Sequence, residues 1–114
     1  MLNGGLTLTK SVRNITQGGT TGTNNTAKPG DVLEYIVTYT NTANAPVSMI
    51  VVTDTTPVFT TFVSAVCNTP LPAALTSCNF TAPTVGAAGN VVWTLNGALN
   101  ALQSGTVAFR VTVQ

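Results

Sequence analysis

The stretch Lys28-Pro29-Gly30-Asp31-Val32-Leu33-Glu34-Tyr35-Ile36-Val37-Thr38-Tyr39-Thr40-Asn41-Thr42 decides the fold, because it joins a turn to the longest β-type run in the chain. Leu33, Tyr35, Val37 and Tyr39 share one parity, while Glu34, Thr38 and Thr40 share the other. A period of two marks a strand with one buried face. The pattern predicts the central strand of a β-sandwich.

Outward from this strand the chain keeps the same grammar. Toward the N-terminus, Leu6, Leu8, Lys10 and Val12 alternate with Thr7, Thr9, Ser11 and Arg13, which predicts a first strand. Between the two, Gln17 to Ala27 has no period and is built of turn-favouring residues, so a mobile loop is expected at one end of the sandwich. Downstream, strands are predicted over Val47 to Thr53, Phe59 to Val66, weakly over Asn79 to Ala82, and over Val91 to Leu95 and Thr106 to Val113. The buried face of the Phe59 to Val66 strand is ambiguous, since Phe62 and Ser64 oppose Thr61 and Val63. Asn96 to Ser104 is expected to be a loop, with room for one helical turn over Ala98 to Leu102. About seven short antiparallel strands with turn signals between them predict an all-β, immunoglobulin-like β-sandwich. At 114 residues it forms one domain, 1–114, with one core dominated by Trp93, Tyr35, Tyr39, Phe62 and Phe109. Trp93 does not sit between two cysteines, which argues against an antibody-type domain.

Charge is the unusual part of the composition. Only 6% of residues are charged and histidine is absent, whereas 22 Thr and 11 Asn supply neutral polarity. Lys10, Arg13, Lys28 and Arg110 are dispersed, which argues against nucleic acid, since phosphate binding needs a basic cluster. No apolar run approaches the length of a spanning helix, so no membrane insertion is expected. Met1 to Gly5 lacks the basic and apolar regions of a signal peptide.

Few residues offer chemistry. Without histidine, a Ser-His-Asp or Cys-His arrangement cannot form within the chain. Asp31, Glu34 and Asp54 are scattered acids, with Asp31 placed in a turn and Glu34 facing solvent, so neither a glycosidase pair nor a calcium cage is expected. No enzymatic activity, metal or cofactor is anticipated. Cys67 and Cys78 enclose a proline-bearing loop without a C-x-x-C spacing, which favours a structural disulfide over two free thiols. Such a bridge contributes roughly 3 kcal/mol through the unfolded state and belongs in an oxidising compartment. Lys10 sits on the apolar parity of its strand and admits three roles. Its stem packs while the ammonium reaches solvent, or it pairs with a partly buried Asp54, or it forms an isopeptide crosslink to Asp54 with the help of a further buried acid. Sequons at Asn14, Asn24 and Asn79 are expected by chance in so Thr-rich and Asn-rich a chain.

Leu8-Thr9-Lys10-Ser11-Val12, Lys28-Pro29-Gly30-Asp31, Tyr35 to Thr42, Val51-Val52-Thr53-Asp54-Thr55-Thr56-Pro57, Thr61-Phe62-Val63-Ser64, Val92-Trp93-Thr94-Leu95 and Val107 to Val111 together resemble a prokaryotic surface-protein repeat, the domain of unknown function eleven. The resemblance implies an immunoglobulin-like fold, an extracellular or cell-wall setting in a bacterium or archaeon, and tandem copies, but no activity. Ala43 stands where the repeat commonly has glycine, and a single copy is present.

The expected function is therefore that of an extracellular structural module, a building block of a cell-surface fibre, stalk or layer whose partners are further copies of itself. Edge strands that lack guarding lysines favour pairing between copies. Leu6, Leu8 and Val12 belong to a strand near a glycine-bearing terminus, within 1–13, that is suited to exchange. The alternative is an adhesion module that holds a surface glycan or protein through the end loops Gln17 to Ala27 or Asn68 to Ser77, with Phe80 and Trp93 the nearest aromatic residues.

Overall fold

The computed structural model describes residues 6–18, 27–69 and 71–114. Seven strands form: β1 (Leu6–Asn14), β2 (Val32–Asn41), β3 (Val47–Thr55), β4 (Thr60–Cys67), β5 (Leu75–Thr81), β6 (Asn90–Leu99) and β7 (Ser104–Val113). They make a four-stranded sheet in the order β1-β2-β7-β4 and a three-stranded sheet in the order β3-β6-β5, with all pairs antiparallel. The chain is a β-sandwich. In constant-type immunoglobulin domains the fifth strand, not the seventh, joins the sheet of the first two. Here β5 stays beside β6, its immediate hairpin partner, and β7 lies between β2 and β4.

The turn ahead of β2 follows from its sequence. Asp31 N donates to Lys28 O at 3.0 Å, with Gly30 at φ 91° in the third position. Proline second and glycine third are what a type II turn selects. Beyond it, β2 pairs with β1 on one side and β7 on the other, setting Val12, Tyr35 and Phe109 in one row. Leu33, Val37 and Tyr39 are buried as their parity predicts, while Tyr35 is half-buried and stacks on Phe109 with centroids 5.3 Å apart. The facing sheet contributes Ile50, Val52, Val91, Trp93, Leu95 and Leu99, all essentially without solvent contact. Each such side chain stabilises the fold by about 1.5–3 kcal/mol. Gly105 lies opposite Tyr39, and a Cβ there would collide with the Tyr39 ring and hydroxyl, so the aromatic ring lies over the glycine.

The strands depart from the pattern-based expectation most where a ladder is irregular. The ladder between β4 and β7 shifts between Phe62 and Ser64, so both Phe62 and Ala65 turn inward despite their odd spacing. This resolves the ambiguous face. β5 begins at Leu75, not Asn79, because Leu75 pairs with Gly97 and Ala98 N donates to Ala74 O at 3.1 Å. Gly97, at φ 96°, carries β6 on to Leu99, so the expected loop after Leu95 contracts to residues 100–103 and no helical turn forms. β3 likewise continues to Thr55. Residues 19–26 of the expected mobile loop, Asn24 among them, lie outside the described residues.

The strands run lengthwise, since ten residues of strand span about 33 Å in a molecule measuring 44 × 27 × 27 Å. β1 enters at the pole where Leu6 pairs with Asn41 and Ser104 with Thr40. β7 leaves at the opposite pole, where Val113 pairs with Thr60.

Candidate functional site

Both long sides of the sandwich are open in principle, because neither sheet closes on the other. One clasp spans each. On the β1/β3 side Lys10 Nζ lies 3.0 Å from Asp54 Oδ1 and 2.9 Å from Oδ2, and 4.6 Å from the centre of the Tyr35 ring. Lys10 is opposite Val37 on the inward parity of β1, and Asp54 follows Val52 on the inward parity of β3. The two parities therefore meet between the sheets. Lys10 and Asp54 lie at ion-pair distance, with the Lys10 side chain 41% and the Asp54 side chain 18% exposed. An inward-pointing charge on an edge strand is also a guard against strand addition, so β1 does not lack a guarding lysine, contrary to expectation.

An amide between these side chains would need a further carboxyl to relay protons. Asp31 and Glu34, the other two acids of the chain, are engaged elsewhere. The intact mass is accordingly expected to fall short of the sequence by the two hydrogens of a disulfide alone; the additional loss of one water would reveal a crosslink.

On the β4/β5 side Cys67 and Cys78 are joined, with Cα atoms 6.1 Å apart. The same edge is covered twice more. Phe62 N donates to Ala87 O at 2.8 Å and its carbonyl accepts from Gly86 N at 2.9 Å, while the Trp93 indole donates to Val66 O at 3.1 Å. Trp93 is fully buried and Phe80 is 43% exposed, so the two do not form the aromatic platform that sugar binding through the Asn68 to Ser77 loop would use.

Glu34 does not face open solvent. It lies between Arg13 and Arg110 in one row across three strands, 3.3 Å from Arg13 Nη2 and 3.1 Å from Arg110 Nε. A shallow groove of about 360 Å³ beside this row is lined by Glu34, Ser64, Val66, Asn68, Ala108 and Arg110. Asp31 is buried and accepts from Asn14 Nδ2 at 3.0 Å, Lys28 N at 3.0 Å and Gln17 Nε2 at 2.7 Å. The Asn14 amide and then the Lys28 N–H hold its carboxyl below the usual range, against the opposing effect of desolvation. That network closes the turn; among the described residues no three metal-ligating side chains come together.

The poles carry a feature that alternation and composition do not reveal. Residues 57–60 form a turn in which Thr60 N and Oγ1 both donate to Pro57 O, at 3.2 and 2.6 Å. Phe59 occupies its third position at φ 62°. At the other pole, Gln103 N donates to Asn100 O at 3.1 Å, and Leu102 occupies the third position at φ 63°. A positive φ there normally selects glycine, and a bulky side chain costs about 1–2 kcal/mol. Both side chains nonetheless project outward, 78% and 76% exposed. The one hint in the sequence is a large apolar residue inside a short connection, in Pro57-Val58-Phe59 and in Ala101-Leu102-Gln103.

No family model, no curated protein and no solved structure matches the chain.

Proposed function

We propose that the chain is an extracellular structural module of a prokaryotic cell surface, which self-associates or repeats in tandem to build a fibre, stalk or layer. The observation that carries this reading is where the few charges go. Lys10 is paired with Asp54, Glu34 with Arg13 and Arg110, and Asp31 is bonded within its turn. With a formal net charge of +1 and its acids engaged internally, the molecule has little long-range field with which to repel a copy of itself. The inter-sheet disulfide supports an oxidising compartment.

Exchange of β1, through Leu6, Leu8 and Val12, belongs to the same reading. Val12 is buried beneath the sheet while Leu8 remains 46% exposed.

Sedimentation across a concentration series, paired with negative-stain micrographs, tests it. Concentration-dependent chains are expected, and they should persist when salt is raised, because few ion pairs are available to be screened. A sharp monomer at every concentration would remove the non-covalent version.

A further inference from the structure

We infer that copies of this chain meet end to end, with the Phe59 turn of one seated against the Leu102 turn of the next. The inference rests on the self-association reading and adds where the contact lies.

The same costly device occurs at both poles. A four-residue turn places a large apolar side chain where glycine would relieve the backbone, and the side chain then contributes little to its own core. Val58, its neighbour in the same turn, is 82% exposed and widens the apolar end. The turns themselves, residues 57–60 and 100–103, contain no charged side chain. The exposed Lys28 lies at the Phe59 pole, in the turn bonded to Val113, but the two turns themselves bring no like charges together.

The occupant follows from the path of the chain. Leu102 is tied to the entry pole, where its N–H donates to Asn41 O at 2.8 Å and Asn41 pairs with Leu6. Phe59 is tied to the exit pole, where its carbonyl accepts from Gln114 N at 2.8 Å. The C-terminal end of β7 in one copy thus lies beside its Phe59 turn, and β1 of another begins beside its Leu102 turn. Placing copies in line, whether linked or free, brings these unlike ends together. A contact between two different patches on opposite ends does not close on itself, so it generates open chains. Each contact involves one turn from either copy, so free copies should need high concentration to assemble, whereas linkage in tandem would raise the effective concentration at each contact.

Phe59→Gly and Leu102→Gly test the assignment, with Met49→Gly as the control. Met49 also has a positive φ, 57°, and is 91% exposed, but it lies within β3. All three variants should unfold at the wild-type temperature or above, because glycine removes backbone strain. Both pole variants should associate at least about tenfold more weakly, and Met49→Gly should assemble as the wild type does. Mixed in equal amounts, the two pole variants should form capped pairs and no chains, since each retains the end that the other lacks. Undiminished assembly in both pole variants would overturn the end-to-end contact while leaving self-association standing. A wild type that never assembles would defeat both. Unfolding of the pole variants well below the wild-type temperature would show that the turns serve the fold, and would also overturn the proposal.

Discussion

Asn41→Leu is expected to lower stability by about 3 kcal/mol, although it replaces a polar side chain by an apolar one at a site with no solvent exposure. The Asn41 side chain is the internal brace of the crossover from β2 to β3. Its Nδ2 donates to Ala45 O at 2.8 Å and to Leu99 O at 2.9 Å, and its Oδ1 accepts from Ala43 N at 2.9 Å. Leucine fills a similar volume and answers none of these groups. Leu99 is itself fully buried and lies opposite Val47 in the ladder, so its carbonyl loses a side-chain donor that water does not replace, and a lost hydrogen bond at a buried polar group costs about 1–3 kcal/mol. Ala43 and Ala45 are more exposed and recover part of their loss through solvent. Urea unfolding should show the midpoint shifted down with little change in slope, the mark of altered stability without altered compactness. An unmoved midpoint would mean that the corner is held by the main chain alone, through Asn41 N to Gln103 O and Leu102 N to Asn41 O.

The role of Asn41 marks the limit of what alternation can disclose. The body of β2 was legible because its turn chemistry and its period are both local, and β1 and β7 were legible for the same reason. Where the ladder slips, at Phe62/Ser64 and again at Leu75/Ser77, an added residue inverts every subsequent parity, and counting by twos misplaces the boundary. The exchange of β5 and β7 between sheets depends on which strands meet across the sandwich, information that no single segment carries. Lys10 breaks the alternation of its own strand, and Asp54 shares the inward parity of β3, so their contact lies within reach of a parity argument. The neighbours of Glu34 needed the register of three strands at once. Phe59 and Leu102 remained hidden because a positive φ in a bulky residue contradicts local preference, and local preference is what a sequence reports.

Replacing both cysteines, Cys67→Ala with Cys78→Ala, is expected to cost about 3 kcal/mol, comparable to the loss at Asn41 but of a different kind. The bridge closes a short loop, with the cysteines 11 apart in sequence, and joins β4 of one sheet to β5 of the other. In the folded molecule that loop has other ties. Asn68 Nδ2 donates to Thr106 Oγ1 at 2.8 Å, Leu75 N to Pro72 O at 3.0 Å, and the Trp93 indole to Val66 O at 3.1 Å. Removing the sulfur link therefore leaves the native edge bonded and chiefly frees the unfolded chain, whose larger ensemble now competes better with the fold. Two measurements separate this account from native damage. The near-ultraviolet circular dichroism of Trp93 should be retained, and the denaturation slope should rise because the unlinked chain exposes more surface when unfolded. A lost Trp93 signal would place the damage in the folded state, and an unchanged midpoint would show that the hydrogen bonds around β4 suffice without the covalent tie.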